Sequence, residues 1–446
     1  MLGRIDKIEQ QSRDLYRYLR SRLMITGTNK DDWFIITRKQ DGITNIKGYR
    51  VQQGQKGTVF WDVDYDSKIT NEIWLYGLDD KDVFEVTGTG DHEIPIKIIG
   101  GQNNDTYRIE NRHGIKVYDQ KSKQNTFETP VNKTLSDDYD LNTYNYMKGR
   151  RDLSQILPAL GYNPDGGLGI GAGYVYTINS LRHNAFTAKH SISGMYYTYT
   201  SGLNIDYARE FAHVFNTINL GIKGGYTSPK YSYNFFGYGN DTPDYNDQDM
   251  DYNRVKVSRF YFAPSLIYRG YYGSEVTLGL RYQNIDVEKT AGRFIDTAAV
   301  NPETFDGQSF YSAEASYGYS NFDNSAMPKK GIGFSITGGY NANFSEDRGF
   351  RYIISEFRLT TKIDKNGIVV YATKLKAKHL FSNEFEFYQA ANIGDGYGFR
   401  GFRQQRFSER TSYYQNSDLR VNFGRLSNGF IPITWGGYAG FDYGRV

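Results

Sequence analysis

From about residue 166 onward, the chain alternates apolar residues with polar residues or glycine. In residues 275–282, for example, valine, leucine and tyrosine occupy the even positions, and glutamate, threonine, glycine and arginine the odd positions. Successive side chains of a β-strand point to opposite faces of the sheet, so the alternation predicts strands with one apolar face. The segments are about 9–15 residues long, whereas strands of soluble proteins average about 5–6 and a tilted strand crosses a bilayer in about 9–11. The pattern therefore predicts an all-β fold, a transmembrane antiparallel β-barrel with a polar interior.

Thirteen segments carry this pattern, and we expect a barrel strand near each of them: 167–177, 183–193, 202–210, 217–227, 231–239, 255–269, 275–287, 309–320, 331–341, 350–363, 369–380, 415–425 and 433–443. An odd number of strands leaves an open edge, whereas single-chain outer-membrane barrels have even numbers, so further strands are expected downstream. The chain starts with charged residues and has no apolar signal-peptide segment. It is therefore interpreted as an interior fragment of an exported protein, with an incomplete barrel at residues 166–446.

Composition narrows the possible classes of protein. No run of about 18 apolar residues occurs, so a transmembrane helix is excluded. The chain contains 40 Tyr, 28 Phe and 48 Gly, which fits a membrane barrel with aromatic girdles. The net charge of +3 is too small to indicate nucleic-acid binding, and the absence of cysteine excludes disulfides and thiolate metal sites. On composition alone, a soluble β-protein with tyrosine-rich strands is the alternative.

The part of the chain before the barrel is expected to have three sections. Residues 1–25 carry apolar side chains at helical spacing and predict an amphipathic helix, interpreted as the tail of a missing upstream domain. Residues 26–127 contain short runs of β-branched and aromatic residues and predict a β-rich module. Residues 120–145 are polar and rich in Asp, Asn and Thr, residues 150–160 lead into the barrel, and the section 128–165 is interpreted as a linker.

The β-rich module contains an internal repeat with a period of about 23 residues, which predicts stacked, solenoid-like β units. Residues 77–86 align with residues 100–109, and each copy is a turn of Gly, Asp or Asn followed by a short strand. The second copy resembles the calcium-binding nonapeptide of parallel β-rolls, whose turns supply oxygen ligands. Candidate calcium ligands are Asp79, Asp80, Asp82 and Asp105. Because no run of nine-residue repeats follows, a structural turn without metal is the favoured interpretation.

The connection between the predicted strands at residues 392–411 has an unusual composition for a solvent-exposed loop. It contains the run Gly398-Phe399-Arg400-Gly401-Phe402-Arg403. A connection of about 20 residues without an element of its own is uncommon in compact domains and is usually functional. Glycine permits a tight bend, and a guanidinium offers a planar fork to a carboxylate. Because the alternation places Trp435 and Phe441 toward lipid and Asp442 toward the interior, we expect the loop to fold into the lumen.

This arrangement resembles the BamA/TamA-type (bacterial surface antigen) outer-membrane barrels, which have sixteen strands. In that family the sixth extracellular loop folds into the lumen, where the Arg of an aliphatic-Arg-Gly-aromatic motif meets an Asp of the thirteenth strand. The resemblance implies a loop motif and a partner strand, formed here by Phe399, Arg400, Gly401 and Phe402 and by Asp442 and Gly444 respectively. Asp418 stands where the family often has Glu, whereas Gly440 stands where an aromatic residue is usual.

A second resemblance covers residues 1–127, which are similar to the segment before the barrel in large Bacteroidetes-type proteins. The matching stretches include Glu-Ile-Trp-Leu-Tyr-Gly-Leu at 72–78 and Ile-Ile-Gly-Gly at 98–101. Those proteins carry a calcineurin-like metallophosphoesterase domain further upstream, and none of its metal-binding motifs occurs in this sequence. The resemblance implies a location in the cell outer membrane, with the N-terminal module, residues 1–150, in the periplasm.

The function implied by the resemblance is non-enzymatic assistance of protein insertion or translocation at the outer membrane. The expected partners are outer-membrane lipid and unfolded outer-membrane or secreted polypeptides, with no nucleic acid and no small-molecule cofactor. Two alternatives are a membrane anchor or conduit for an upstream hydrolase domain, and a diffusion pore with a basic lining of Lys374, Lys376, Lys378 and Arg358. A barrel enzyme would need a histidine beside a nucleophile or acid, and the six His of the chain are scattered, so no enzyme is predicted.

Overall fold

The structure is a computed structural model of the chain. It describes residues 2–146, 151–181, 186–215, 217–245, 249–297, 300–344, 348–396, 398–427 and 432–446. The chain divides into two compact units: the first contains residues 1–151 and 179–185, and the second contains residues 152–178 and 186–446.

The first unit is mainly β-structure with one long helix at its N-terminus. Its elements are α1 Leu2–Arg20, β1 Arg22–Thr26, β2 Asp32–Arg38, β3 Ile43–Gln52, β4 Gln55–Asp66, β5 Glu72–Leu78, β6 Val83–Thr87, β7 Ile96–Gly101, β8 Thr106–Ile109, β9 Ile115–Asp119, β10 Thr126–Phe127, β11 Lys133–Leu135 and α2 Tyr139–Asn142. They form two sheets, with the strand orders β1-β5-β7-β9-β11 and β10-β8-β6-β2-β3-β4. Apart from the antiparallel β2–β3–β4 strands, all these pairs are parallel.

The two parallel sheets form a short solenoid with one repeat per layer. Residues 77–86 and 100–109, which were predicted to be repeats, form adjacent layers, and Phe84 pairs with Tyr107. Aromatic rings at this position form a column through the core, with centroid distances of 5.5 Å for Phe34–Phe84, 5.4 Å for Phe84–Tyr107 and 4.8 Å for Tyr107–Phe127. Phe34, Phe84 and Tyr107 are fully buried, so the column is a principal part of the hydrophobic core. The prediction of stacked β units is confirmed.

The predicted section boundaries of the first unit were wrong at two places. The helix ends at Arg20 and not near residue 25, because Ile25 of β1 is buried in the core and β1 pairs with β5. The module does not end at residue 127, because β11 pairs with β9 and extends the first sheet into the segment that was interpreted as a linker. In both places a tertiary contact decided the structure of a short, ambiguous segment.

The second unit consists of long antiparallel strands joined by loops of unequal length. Its elements are β12 Leu153–Asn163, β13 Gly167–Ile178, β14 Ala188–Tyr197, β15 Gly202–Phe215, β16 Ile218–Thr227, β17 Ser232–Asn234, β18 Arg254–Arg269, β19 Ser274–Val287, α3 Phe294–Thr297, β20 Gln308–Ser320, β21 Gly331–Asn343, β22 Gly349–Lys362, β23 Val369–Leu380, β24 Ala391–Ile393, β25 Phe407–Glu409, β26 Thr411–Ser427 and β27 Pro432–Arg445, with 3-10 turns at Pro302–Phe305 and Phe387–Gln389.

Strands β12 to β27 form a single up-and-down antiparallel sheet. Each long strand pairs with the next along the chain, while the short β17 pairs with β18 outside this path and β24–β25 form a separate hairpin. Within the described residues, β12 pairs only with β13 and β27 only with β26. The sheet agrees with the predicted fold class, an antiparallel β-barrel. Within the described residues, none of the helices combines the length and the apolar composition needed to cross a bilayer.

Two strand predictions in the second unit were wrong and offset each other in the strand count. Strand β12 lies in the segment interpreted as a linker, and its Pro158 is tolerated because β12 has only one neighbouring strand within the described residues. Conversely, residues 231–239 do not form a full strand. Only Ser232–Asn234 is extended, because Gly237 and Gly239 adopt positive φ angles of 94° and 106° and turn the chain away. The start of the strand predicted at 183–193 lies outside the described residues, and its described part is β14.

The predicted alternation of side chains is present in the sheet. Apolar residues on the outer face are exposed even though they lie in regular strands, for example Leu280 at 63% and Trp435 at 50%. Their neighbours on the other face are charged or polar and form ion pairs, such as Arg269 with Glu210 and Glu275. A face of large apolar side chains that none of the described residues covers is what a lipid-facing barrel surface requires.

Three connections at one end of the sheet are much longer than any connection at the other end. The end that carries the β12–β13 turn also carries residues 228–253, 288–307 and 381–410, because alternate connections of an antiparallel meander share an end. Apolar side chains from these segments and the adjacent strand ends form a buried cluster that includes Phe235, Ile295 and Phe387. This end of the barrel is therefore covered by packed loops.

Candidate functional site

The segment between β23 and β26, residues 381–410, carries the Arg-Gly-Phe motif. It is not devoid of secondary structure, as was expected for residues 392–411, because β24 and β25 form a short antiparallel hairpin in which Ala391 pairs with Glu409. The motif lies in the turn between these two strands. The hairpin fixes the two ends of the turn close together, so that the motif projects from a defined base. We call residues 381–410 the motif loop.

Arg400 of the motif loop contacts two acidic side chains on the last two strands. Its Nε donates to Oδ2 of Asp442 at 2.8 Å, and its Nη1 donates to Oδ1 of Asp418 at 2.9 Å. The backbone N–H of Arg400 also donates to Asp442 Oδ2, at 3.0 Å. The structure therefore brings together the three charged residues that the sequence singled out. We call Arg400, Asp418 and Asp442 the Arg400 cluster.

A polar residue of β26 holds the acidic side of this cluster in place. Asn416 donates from Nδ2 to Asp442 Oδ1 at 2.8 Å and also to the carbonyl oxygen of Gly398 in the loop. Arg420 donates to the second oxygen of Asp418 at 3.0 Å. Each carboxylate thus has a second hydrogen-bond donor besides Arg400, which orients both acids toward the guanidinium. Arg400 itself is 40% exposed at its side chain, so the cluster is open to the interior and not sealed in a core.

Three glycines make room for this geometry. Gly398 and Gly401 have φ angles of 89° and 84°, in the region that favours glycine, and a Cβ at Gly398 would also collide with the ring of Tyr414. Gly440 lies on β27 opposite Asp418, and a Cβ there would be 2.6 Å from both Arg400 Nη2 and Asp418 Oδ1. The departure from the usual aromatic residue at position 440 therefore has a physical reason, because the guanidinium occupies that space.

The aromatic residues of the motif pack on one another within the loop. The rings of Phe399 and Phe402 stack at 4.7 Å with an interplanar angle of 15°, and Phe407 meets Phe402 edge-on at 5.4 Å. Phe402 is nevertheless 43% exposed. The stack of Phe399 and Phe402 therefore stiffens the turn that presents Arg400.

Gly444, the last residue of the predicted partner motif, pairs with Tyr414 on β26, and a Cβ there would be 3.3 Å from Ile393 of the loop.

A second arginine of the motif loop makes contacts that the sequence did not predict. Arg403 donates from Nε to Oδ1 of Asp165 at 2.7 Å and from Nη2 to Oδ1 of Asn234 at 3.1 Å. Asp165 lies in the turn between β12 and β13, and both ionic partners are buried, with side-chain exposures of 7% for Arg403 and 5% for Asp165. We call Arg403, Asp165 and Asn234 the Arg403 cluster. In the sequence, the only sign of the Arg403 cluster is the presence of a second arginine, Arg403, three positions after Arg400.

The four basic residues predicted to line the lumen have different roles. Arg358 and Lys374 flank the same acid, Glu356, at 3.3 Å and 3.6 Å, and both border a cavity that Arg400 also lines. Lys378 donates to the carbonyl oxygens of Gln389 and Ala390 in the motif loop, at 2.7 Å and 3.0 Å. Lys376 lies on the same face of β23, with its backbone paired to Glu356. Arg358 and Lys374 therefore share a single carboxylate, whereas Lys378 is bound by carbonyl groups of the motif loop.

The calcium-ligand candidates are not assembled into a metal site. Asp82 and Asp105 are each 1% exposed inside the solenoid, whereas Asp79 is exposed on the turn and accepts from Asn103 Nδ2 at 2.7 Å. Asp80 lies 3.9 Å from Lys30. No group of three or more His, Asp or Glu side chains suited to a metal ion occurs among the residues that the structure describes. The interpretation as a structural turn accounts for the contacts of these residues.

The buried aspartates of the solenoid instead form a ladder of hydrogen bonds between layers. The backbone N–H of Asp32 donates to Asp82 Oδ1 at 2.8 Å, and the N–H of Asp82 donates to Asp105 Oδ1 at 2.9 Å. The N–H of Asp105 donates to Asn125 at 2.9 Å. Burial, followed by repulsion from Asp105, raises the pKa of Asp82 to about 9, and burial and Asp119 raise the pKa of Asp105 to about 8. The carboxyl groups of Asp82 and Asp105 are therefore uncharged at neutral pH and accept hydrogen bonds from backbone N–H groups of the turns.

The fold and the site define an antiparallel β-barrel with an apolar outer face and a long loop fixed to its polar inner face. No protein-family model and no curated protein matches the chain. Among solved structures, the chain is similar to BamA from Haemophilus ducreyi lacking POTRA domains 1–3, with a TM-score of 0.45 and 16% identity. The match covers 63% of this chain and 55% of that chain, so about half of the BamA structure has a counterpart here. At this TM-score and identity, the likeness carries no conclusion about function.

Proposed function

We propose that the chain is the barrel portion of an outer-membrane protein that assists the insertion or translocation of polypeptides, with its N-terminal module in the periplasm. The observation that supports this proposal most is the Arg400 cluster. A loop arginine meets carboxylates of two successive strands on the inner face, at the positions where the resemblance to BamA/TamA-type barrels expects them. The role is non-enzymatic: the cluster holds the motif loop in the lumen beside the last strands. The partners are outer-membrane lipid and unfolded polypeptides.

Reconstitution in liposomes tests the role in insertion. An unfolded outer-membrane barrel protein is added, and its folding is followed by heat-modifiable mobility on gels. We expect liposomes that contain the wild-type protein to accelerate folding over empty liposomes, and the variant Arg400→Ala to lose most of this acceleration. The matched control is Arg410→Ala, an exposed arginine of the same loop that contacts Asn383 and no acid of the barrel strands. Equal folding rates in empty and protein-containing liposomes would refute the proposed role.

The second candidate function is a membrane anchor for an upstream hydrolase domain, and one observation favours it. Helix α1 leaves Ile8, Leu15 and Leu19 exposed to 57%, 57% and 59%, so its apolar side is not covered by the described residues. Deletion of residues 1–150 separates the two functions. An assembly factor without its N-terminal module is expected to assist folding poorly, whereas an anchor would show no effect of the deletion or of Arg400→Ala on folding of added barrel proteins.

The third candidate, a diffusion pore, is tested by single-channel conductance in planar bilayers. Because the motif loop lies against the inner face and packed loops cover one end of the barrel, we propose a low conductance for the wild-type protein. Release of the loop in Arg400→Ala is then expected to raise the conductance. A large, stable conductance of the wild-type protein would favour the pore.

A further inference from the structure

The Arg403 cluster is more deeply buried than the Arg400 cluster and lies at a different place in the sheet. Arg403 and Asp165 are 8% and 4% exposed as whole residues. The guanidinium of Arg403 is also 5.2 Å from the ring centroid of Phe236, which is buried. A charge pair with so little exposure forms only where the surrounding structure places both partners closely, so the contact is a specific feature of the loop conformation.

Further hydrogen bonds surround the Asp165 carboxylate and the backbone beside Arg403. The backbone N–H of Gln404 donates to Asp165 Oδ2 at 3.4 Å, and Arg254 of β18 lies 4.0 Å from Asp165 Oδ1. Asn234 donates from its backbone N–H to Gln405 Oε1 at 3.2 Å and from Nδ2 to the carbonyl oxygen of Gln404 at 3.0 Å. The side chain of Arg403 and the backbone of Gln404 therefore bind the same two residues, Asp165 and Asn234.

The two clusters connect the motif loop to opposite ends of the strand order. Asp165 lies in the turn that joins β12 to β13, the first two strands of the sheet, whereas Asp418 and Asp442 lie on β26 and β27, the last two. Within the described residues, β12 and β27 are edge strands with one neighbour each. Arg400 and Arg403 are three positions apart, so a single short turn contacts both the β12–β13 turn and strands β26 and β27.

We propose that the Arg403–Asp165 pair is a second fastening of the motif loop, and that the loop acts as a strap which joins the β12–β13 turn to strands β26 and β27. Arg403 and Asp165 are then positioning residues for the loop. Movement of the β12–β13 turn away from strands β26 and β27 requires that at least one of the clusters opens. This inference rests on the proposed function for its membrane setting, but the contact itself is tested in detergent without any polypeptide cargo.

The absence of cysteine from the chain allows a test with a single reporter thiol. Ser408 of β25 is 1% exposed, and its hydroxyl has no hydrogen-bond partner among the described residues, so Ser408→Cys removes no such bond. The rate at which a water-soluble maleimide labels this thiol in detergent-solubilised protein reports release of the loop. We expect slow labelling in the Ser408→Cys protein and at least tenfold faster labelling when Arg403→Met or Asp165→Asn is added.

Control variants separate the strap from a general loss of structure. Arg403→Lys keeps the charge and is expected to restore most of the protection, and Arg410→Met is expected to leave the labelling rate unchanged. The double variant Arg403→Met/Asp165→Asn should be labelled no faster than the faster single variant, because the two residues act as one contact. Labelling rates are compared only for variants that show heat-modifiable mobility and are therefore folded. If Arg403→Met does not fold, the proposal is tested by comparing the labelling rate of Asp165→Asn with that of Arg403→Lys. Labelling of Asp165→Asn at the rate of Arg410→Met would overturn the proposal, whereas faster labelling of Asp165→Asn together with equal folding rates in empty and wild-type liposomes would refute only the proposed function.

Discussion

The two units of this protein bury acidic side chains in different ways. In the solenoid, Asp82 and Asp105 are each 1% exposed, and the Oδ2 atom of each has no hydrogen-bond partner among the described residues. In the barrel, Asp165 is 4% exposed and faces the guanidinium of Arg403. A buried carboxyl group without a cation is more stable when protonated, whereas one beside a guanidinium is stabilised as the anion. Asp82 and Asp105 are therefore buried without a cation and Asp165 with one, whereas Asp32 of the solenoid lies buried 3.0 Å from Arg50 and burial still raises its pKa.

The largest expected effect of this difference is a dependence of solenoid stability on pH. Burial raises the pKa of Asp82 from 3.8 to about 9, that of Asp105 to about 8 and that of Asp119 to about 6. These three groups therefore bind more protons in the folded solenoid than in the unfolded chain, so the stability that they contribute is fully present below their unfolded pKa and is lost as the pH rises toward 9. We expect a loss on the order of 5 kcal/mol across this range.

Tryptophan fluorescence measures this loss, because Trp33, Trp61 and Trp74 lie in the first unit and only Trp435 lies in the second. Urea unfolding of the protein at pH 5, 7 and 9 should give successively lower midpoints for the fluorescence transition. The double variant Asp82→Asn/Asp105→Asn should remove most of the pH dependence while keeping the hydrogen bonds that the Oδ1 atoms accept. A midpoint that rises between pH 5 and 9 would show that these carboxyl groups are ionised in the folded solenoid.

The next effect concerns the two clusters of the motif loop, which differ in exposure. Removal of Arg403 leaves the buried Asp165 without its closest cation and is expected to cost about 3–5 kcal/mol. Removal of Arg400, which is 40% exposed, leaves Asp442 with Asn416 and Asp418 with Arg420, and is expected to cost about 1.5–3 kcal/mol. Urea unfolding of Arg403→Ala and Arg400→Ala, followed by heat-modifiable mobility, gives both values. A larger loss for Arg400→Ala would mean that exposure does not govern the strength of these contacts.

A smaller loss is expected for Gly440→Ala. The added Cβ would be 2.6 Å from Arg400 Nη2 and from Asp418 Oδ1, so the guanidinium must move away from the strand. Because the end of an arginine side chain is flexible, the cost is expected to be about 1–2 kcal/mol, at the lower end of the range for overpacking. Gly437→Ala is the matched control, since the nearest atom to its added Cβ is at 3.5 Å. Equal unfolding midpoints of the two variants would contradict the explanation given for glycine at position 440.

The local patterns of the sequence were sufficient to predict the barrel strands and their faces. Alternation at period two depends only on neighbouring residues, so it identified Leu280 and Trp435 as outward-facing without knowledge of the fold. It failed where a local signal was misleading. The segment that forms β12 was interpreted as part of a linker, and residues 231–239 were interpreted as a strand although Phe235 leaves the sheet to enter the buried loop cluster. The edge position of β12 and the packing of Phe235 in the loop cluster depend on the whole fold, so local sequence patterns could not predict them.

The candidate site was predictable in part for the same reason. Arg400, Asp418 and Asp442 were found through a resemblance in short motifs, and the structure brings them together. The contact between Arg403 and Asp165 joins residues 238 positions apart, and no periodic pattern relates them. Asp32 could have been recognised from the sequence as a member of the aspartate ladder of the solenoid, because Gly27 and Asp32 have the same spacing as Gly77 and Asp82. The inserted strands β3 and β4 lengthen that first interval and hid the repeat.

The smallest expected effect is at an exposed ion pair of the solenoid, which sets the lower limit of the comparison. Lys39 and Asp64 are 2.9 Å apart with exposures of 45% and 55%, so water competes for both charges. Lys39→Met is expected to lower stability by about 0.2–1 kcal/mol, and the difference should vanish in about 1 M salt, where the screening length is about 3 Å. Urea unfolding monitored by tryptophan fluorescence, with the exposed Lys68→Met as control, provides the value. If Lys39→Met cost as much as Arg403→Ala, exposure could not be the property that separates weak charge pairs from strong ones in this protein, and the ranking of the two loop clusters would lose its physical basis.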